Sequence, residues 1–231
     1  MAADARVHFV RHAETLFNVN GQLQGWCDSP LTARGERQAA ALGERLRGVA
    51  IAAAFTSDLT RTRTTTAAAL VGHPGLVPVA MTELREWHLG GWEGKANSDL
   101  WGRVFAEHGF EYVPASADWT AMTADGRESV IDTVQRLDPL ARAESATDVR
   151  RRLTSGLETV LESAREAAAT GSGDVLVVTH GMVLGTILRQ LVPGHAPKAG
   201  FPNCGAVTVT WGPAGIEVGE VVDSEGTRVA A

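Results

Sequence analysis

The chain has 231 residues, 44% hydrophobic and 21% charged, with a formal net charge of −6. That composition suits one large globular domain, or one domain with an insertion, and the acidic balance argues against a general nucleic-acid or membrane-surface role while leaving room for a locally positive cleft. The two cysteines, Cys27 and Cys204, form no CxxC pair, which excludes a disulfide framework or a cysteine zinc site as the organising feature.

Residues 6–10 (RVHFV) read as a short β-strand, followed at once by a polar segment. Residues 32–49 read as a helix: Thr32 can cap its start, and Ala39, Leu42, Leu46 and Val49 share one face. Residues 50–55 form an apolar run ending in Thr56, Ser57 and Asp58, as expected for a buried strand leading into a helix N-cap. The helix expected next, LTRTRTTTAAAL, is rich in threonine, a poor helix former, so tertiary contacts would have to hold it. Residues 76–80 are a further strand candidate.

Residues 96–143 break the rhythm and read as an inserted, partly helical cap segment carrying Trp101, Phe105, Phe110, Tyr112 and Trp119. Residues 148–168 have the pattern of an amphipathic helix, and Gly171 to Gly173 that of a turn. Residues 174–179 (DVLVVT) are the clearest buried strand, and residues 181–191 a helix apolar nearly all round. Residues 206–211 and 216–222 read as two final strands joined by a Gly-Pro turn, a hairpin at the sheet edge. Strands alternating with helices imply an α/β fold, a three-layer sandwich with a mostly parallel central sheet flanked by helices. The first fifteen residues hold no apolar stretch of signal-peptide length and no segment is long enough to span a bilayer, so a soluble cytoplasmic protein is expected.

Two strands end alike: Val10 is followed by Arg11-His12, and Thr179 by His180-Gly181. Ligands of parallel sheets bind beyond the carboxyl ends of the strands, so both histidines should share one edge. A third strand ends near Thr56, and Arg61 in the following helix should lean back over that edge. A cation in a first helical turn opposes the dipole, and an anionic ligand would account for it. Taken singly, each feature has a plainer reading: an Arg-His pair by chance, a hydrogen-bonded loop histidine, a solvated surface arginine. Together, two arginines, two histidines and a helix N-terminus suit a dianion such as phosphate.

The residues that carry these features resemble the histidine phosphatase superfamily, also called the phosphoglycerate mutase-like family. V-R-H-A-E-T at 10–15 resembles its signature, with Ala13 where glycine is commoner and Asn18 where asparagine is frequent. Q-G-W-C-D-S-P-L-T-A-R-G at 24–35, S-D-L-T-R-T at 57–62, L-R-E-W-H-L-G-G-W-E-G at 84–94, E-S-A-T-D-V at 144–149, V-V-T-H-G at 177–181 and Asn203-Cys204 follow in family order. The resemblance implies His12 as nucleophile, Glu86 as proton donor, and Arg11, Arg61 and His180 as holders of the phosphoryl oxygens. It also implies phosphate or substrate contacts at Asn18, Gln24, Gly25, Gly181 and Met182. The departure is the long segment 96–143, which lacks the run of arginines with which phosphoglycerate mutases grip their acidic substrate.

That assignment meets the demands of the chemistry. A neutral imidazole avoids the repulsion a dianion exerts on anionic nucleophiles, and a covalent intermediate divides one hard step into two. His12 should be unprotonated at the attacking nitrogen, its other nitrogen donating to a backbone carbonyl. Arg11, Arg61 and a protonated His180 would stabilise the transition state, so neither metal nor cofactor is required. Glu86 could protonate the leaving oxygen if burial raises its pKa. Glu83 and Glu93 are nearby competitors for that role that read more simply as surface carboxylates, the choice of Glu86 resting on the resemblance; Glu14 reads as an ion-pair or cap residue, and His8 as a strand residue. His73, His88, His108 and His195 lack metal-site spacing. The tryptophans from Trp87 to Trp119 suit either the substrate pocket or the core.

The leading expectation is a phosphatase acting on a small phosphorylated metabolite, with a small-molecule phosphate ester as its partner and homodimerisation left open. The alternatives are a 2,3-bisphosphoglycerate-dependent phosphoglycerate mutase and a non-catalytic phospho-ligand-binding protein on the same fold.

Overall fold

The strand most legible in the sequence, DVLVVT, lies in the middle of the architecture. The computed structural model describes residues 4–114, 127–193 and 200–229. Their strands are β1 (Ala5–Arg11), β2 (Ile51–Ser57), β3 (Val79–Met81), β4 (Asp174–Thr179), β5 (Ala206–Gly212) and β6 (Gly215–Val218). They form one sheet in the order β3-β2-β4-β1-β5-β6. The pairs β3–β2, β2–β4 and β4–β1 are parallel, whereas β1–β5 and β5–β6 are antiparallel.

The helices are α1 (Leu16–Val19), α2 (Ala33–Leu46), α3 (Thr60–Ala69), α4 (Asn97–Glu107), α5 (Arg127–Leu137), α6 (Ala146–Thr170) and α7 (Gly181–Leu191). Side chains alternate across a strand. Val175 and Val177 of β4 accordingly join one core with Leu153, Leu157 and Val160 of α6 and Leu184 and Ile187 of α7. Leu176 and Val178 join the opposite core with Ala39, Leu42 and Leu46 of α2 and Ala69 of α3. Each such leucine or valine contributes about 1.5–3 kcal/mol on full burial. The result is the three-layer α/β sandwich with a mostly parallel sheet.

Local signals account for several boundaries. The Thr32 side chain accepts from the Gly35 N–H at the start of α2, and that helix ends at Leu46, earlier than the periodicity suggested, just before Gly48. Ser145 and Asp148 form a reciprocal capping box at α6, and Gly171, with φ 66°, closes it in the left-handed conformation that glycine tolerates. β3 covers only 79–81 rather than 76–80, because Pro78 has no N–H to add to a ladder. β6 ends at Val218, and Val222 meets Ala206 through an isolated bridge instead of extending the strand.

The start of α3 differs from expectation. Thr56 and Ser57 belong to β2, and the N-cap position falls on Leu59, whose side chain makes no capping bond. The cap is supplied from elsewhere: Asp28 accepts from the Thr60 N–H. The threonines settle into the helix by donating backwards. Thr65 donates to the Arg61 carbonyl and Thr66 to that of Thr62, both at 2.7 Å.

In segment 96–143, Leu100, Trp101, Val104 and Phe105 of α4 and Val130, Ile131 and Val134 of α5 belong to the larger core. Trp119 and His195 lie outside the described residues.

Candidate active site

β1 and β4 are parallel neighbours whose last paired residues are Arg11 and Thr179. His12 and His180 leave the sheet side by side, the His12 N–H donating to the Thr179 carbonyl at 2.9 Å. Their rings meet edge to face, with centroids 5.3 Å apart. The backbone around His12 is fastened from three sides. Its carbonyl accepts from the Cys204 N–H and from Asn203 Nδ2, each at 3.2 Å. Cys204 reaches it by adopting a left-handed backbone, φ 55°. Next door, the Ala13 N–H donates to Thr65 Oγ1 at 3.0 Å.

The tautomers follow from the partners. His12 Nδ1 lies 2.8 Å from the Ala13 carbonyl, which only accepts, so Nδ1 carries the proton and Nε2 keeps its lone pair. Burial, with the charges of Arg61 and Arg11 beside it, holds the His12 pKa well below 6.5. His180 Nδ1 accepts from Arg61 Nη2 at 3.0 Å, a group that only donates. His180 is therefore neutral, with its proton on Nε2, and burial together with Arg61 holds its pKa well below 6.5. This corrects the expectation of a protonated His180: an imidazolium cannot share that bond with a guanidinium.

Arg61 is 1% exposed. Its guanidinium donates to the carbonyls of Cys27 (2.8 Å) and Gly25 (2.7 Å) and pairs with Asp28 at 3.0 Å. The cation that seemed to oppose the α3 dipole thus sits beside the carboxylate that caps the same helix. Arg11 donates to the Phe201 carbonyl at 2.7 Å, and burial lowers its pKa. Buried N–H groups without a partner in the described structure include Arg11 Nε, Arg61 Nε and His180 Nε2, and also Nε1 of Trp87.

Glu86 meets the N-terminus of α7. Its carboxylate accepts from the N–H groups of Met182 (3.0 Å), Val183 (3.1 Å) and Trp87 (3.1 Å). Burial raises its pKa, against those hydrogen bonds and the two arginines. The segment bearing it is tied down by Arg152, which donates to the carbonyls of Glu83, Arg85 and Glu86 and pairs with Glu144 at 2.6 Å. Trp26 Nε1 also donates to the Glu86 carbonyl, at 2.8 Å.

A cavity of about 260 Å³ opens over these groups, lined among others by Arg11, His12, Glu86, Asn18, Trp87 and Trp101. Gln24, Gly181 and Met182 also face it. Arg61 and His180 are not among its lining residues; the His180 ring packs edge to face on that of His12, and Arg61 bonds to His180. Gly25 does not line it: its carbonyl holds Arg61, and any side chain there would collide with the Trp87 carbonyl. The Met182 amide serves Glu86. Trp92 lines a separate groove with Lys95 and Arg103.

Glu93 is not a free surface carboxylate. It accepts from the N–H groups of Gly25 (3.0 Å), Trp26 (2.7 Å) and Cys27 (3.1 Å), shaping the loop whose carbonyls hold Arg61. Glu14 pairs with Arg34 at 3.2 Å. His8 bridges Thr208 and Asp174 within the sheet. Among the described residues, no three His, Cys, Asp or Glu side chains gather as a metal site requires, and no helix is long and apolar enough to cross a membrane.

Sequence reasoning gave no role to Thr65, Asp28 or Arg152 and misread Glu93 as a surface carboxylate. Only Thr65 had a local signal, the excess of threonine one turn beyond Arg61. Thr65→Val should leave the buried Ala13 N–H unsatisfied, at a cost of about 1–3 kcal/mol. Urea denaturation measures that loss, and an unchanged midpoint would show the bond to be immaterial.

A family model described as the histidine phosphatase superfamily (branch 1) matches residues 7–224. A protein of Yersinia enterocolitica named Probable phosphoglycerate mutase GpmB is 33% identical over 195 residues, 84% of this chain and 78% of that protein. The crystal structure of phosphoglycerate mutase from Bacillus anthracis superposes with a TM-score of 0.81 at 26% identity, covering 94% of this chain and 92% of that one. The alpha-ribazole phosphatase from Shigella flexneri shares the fold, with a TM-score of 0.67 at 22% identity, covering 98% of this chain and 100% of that one.

Proposed function

Because this chain belongs to the histidine phosphatase superfamily, we propose that it is a phosphatase that hydrolyses a small phosphorylated metabolite through a phosphohistidine on His12. The observation that carries the reading is the neutral, tautomer-fixed imidazole of His12 at the cavity floor, between two guanidinium groups and a buried carboxyl group.

His12 Nε2 attacks phosphorus, forming a P–N bond as the ester P–O bond breaks. The protonated Glu86 passes its proton to the departing alcohol oxygen. Water then attacks the phosphohistidine and gives a proton to the Glu86 carboxylate. The P–N bond breaks, inorganic phosphate leaves, and both side chains return to their starting forms. The transferring group spreads charge over three oxygens, and the unpartnered N–H groups of Arg11, Arg61 and His180 are donors fixed in advance for it. A neutral His180 still donates through Nε2.

The test is release of inorganic phosphate from p-nitrophenyl phosphate, with a base-stable, acid-labile phosphoprotein trapped by rapid quench. Turnover with no trappable phosphoprotein under any quench, or no turnover on a broad panel of esters, would count against the proposal. Glu86→Gln separates acid catalysis from positioning. Its kcat should fall about 10²–10⁴-fold on alkyl phosphates and far less on p-nitrophenyl phosphate, whose leaving group needs little protonation. With alkyl phosphates the wild-type rate should decline as pH rises through the elevated Glu86 pKa, because the proton to be donated is then lost. Equal losses on both substrate types would remove Glu86 from the acid role.

A mutase is the second reading, favoured by the name of the Yersinia relative. A coupled assay with 3-phosphoglycerate and 2,3-bisphosphoglycerate distinguishes them. Isomerisation that outpaces phosphate release would replace the hydrolase reading.

A further inference from the structure

The wall of the cavity above His12 contains four side-chain amides, and their hydrogen bonds sort them into two kinds. Gln22 donates to the Gly94 carbonyl at 2.9 Å and accepts from Asn20 at 3.2 Å. Gln24 accepts from Thr15 at 2.7 Å and donates to Ser29 at 3.1 Å. Both are occupied in holding the wall together. Asn18 uses only its oxygen, accepting from Thr15 N–H at 3.1 Å and Asn203 Nδ2 at 3.0 Å, so its NH2 group remains. Asn97, the first residue of α4, faces the cavity with no hydrogen bond to its side chain among the described residues.

The other large side chains of the wall, Leu23, Trp87, Leu89, Trp101 and Phe201, are hydrophobic, and the one among them with an unpartnered buried N–H in the described structure is Trp87, at Nε1. Among the described lining residues the charged ones are Arg11 and Glu86, both taken up by the phosphoryl-transfer chemistry. The positive end of α4 is offset by Asp99 in its first turn.

An amide that can both donate and accept matches an alcohol hydroxyl. A carboxylate only accepts, and among the described lining residues the one cation is Arg11, which the phosphoryl group takes up, so a carboxylate placed near Glu86 would be a desolvated charge with no cation of its own there. About 260 Å³ is below the usual range for drug-sized ligands, so the phosphate and a few-carbon leaving group fill it.

Resting on the phosphatase reading, we infer that the leaving group is an uncharged, hydroxyl-bearing alcohol of sugar or polyol type, and that Asn97 determines this specificity by hydrogen-bonding its hydroxyl.

Glycerol 3-phosphate and 3-phosphoglycerate test this directly, since they differ in having CH2OH or carboxylate at one end. Wild-type kcat/KM for phosphate release should favour glycerol 3-phosphate by at least about tenfold. In Asn97→Ala the ratio of kcat/KM for glycerol 3-phosphate over propyl phosphate should drop by about fivefold or more. In Asn97→Arg the ratio should shift toward 3-phosphoglycerate. Equal or better wild-type turnover of 3-phosphoglycerate, or ratios unmoved by either substitution, would overturn the inference while p-nitrophenyl phosphate turnover keeps the phosphatase reading intact. Absence of turnover on p-nitrophenyl phosphate as well would instead remove the reading beneath it. The wild-type comparison stands even if a variant fails to fold.

Discussion

His12→Ala is expected to reduce phosphate release by on the order of 10⁴–10⁶-fold and to abolish the trappable phosphoprotein. The size follows from what is lost. Without the imidazole there is no covalent route, and water must attack the ester directly, with the surrounding donors as the remaining catalysts. Fold and substrate affinity should change little, because the His12 carbonyl and N–H make the backbone contacts with Cys204, Asn203 and Thr179 whatever the side chain. KM near the wild-type value with a collapsed kcat is therefore the expected pattern. Turnover within tenfold of wild type, in a preparation free of contaminating phosphatase, would end the proposed mechanism. The acid limb of wild-type kcat/KM should lie below 6.5, because burial and the two arginines keep His12 unprotonated there.

Arg61→Ala should damage activity and stability together. Removing one preorganised donor to the transferring group costs about 10²–10³-fold in kcat. Removing the guanidinium also leaves Asp28 without its ion-pair partner, the Gly25 and Cys27 carbonyls without donors, and His180 Nδ1 without the bond that fixes its tautomer. Breaking a buried pair costs about 3–5 kcal/mol. Asp28 is partly exposed and can rehydrate, so about 2–4 kcal/mol is expected here. Arg61→Lys restores the charge without the planar fork that serves several acceptors at once, so it should recover only part of either loss. Denaturation midpoints and kcat measured on the same preparations check this, and a variant with wild-type stability would show that the loop of residues 24–28 does not depend on Arg61.

What was legible in the chain was local. The apolar run in DVLVVT, the Thr32 cap and the apolar face of α6 are decided by neighbours a few residues apart, and they predict elements that form where expected. Two strands ending in Arg-His and His-Gly sufficed to bring two imidazoles together, because adjacent parallel strands deliver equivalent positions to one edge. The identity of the α3 cap was not legible, since Asp28 lies 32 residues before the Thr60 it serves. Glu93 looked like a solvated charge because the three amides that it accepts from lie more than 60 residues earlier.

The sequence by itself determined the α/β layering, the edge on which the chemistry gathers and the residue types placed there, because periodicity and strand-end position are properties of short segments. The tertiary structure alone decided the protonation of His180, the pairing of Arg61 with the helix cap, and which amides of the wall remain open to a ligand. Each depends on the hydrogen-bonding partner across a contact between distant segments, and a linear chain specifies that partner only once it is folded.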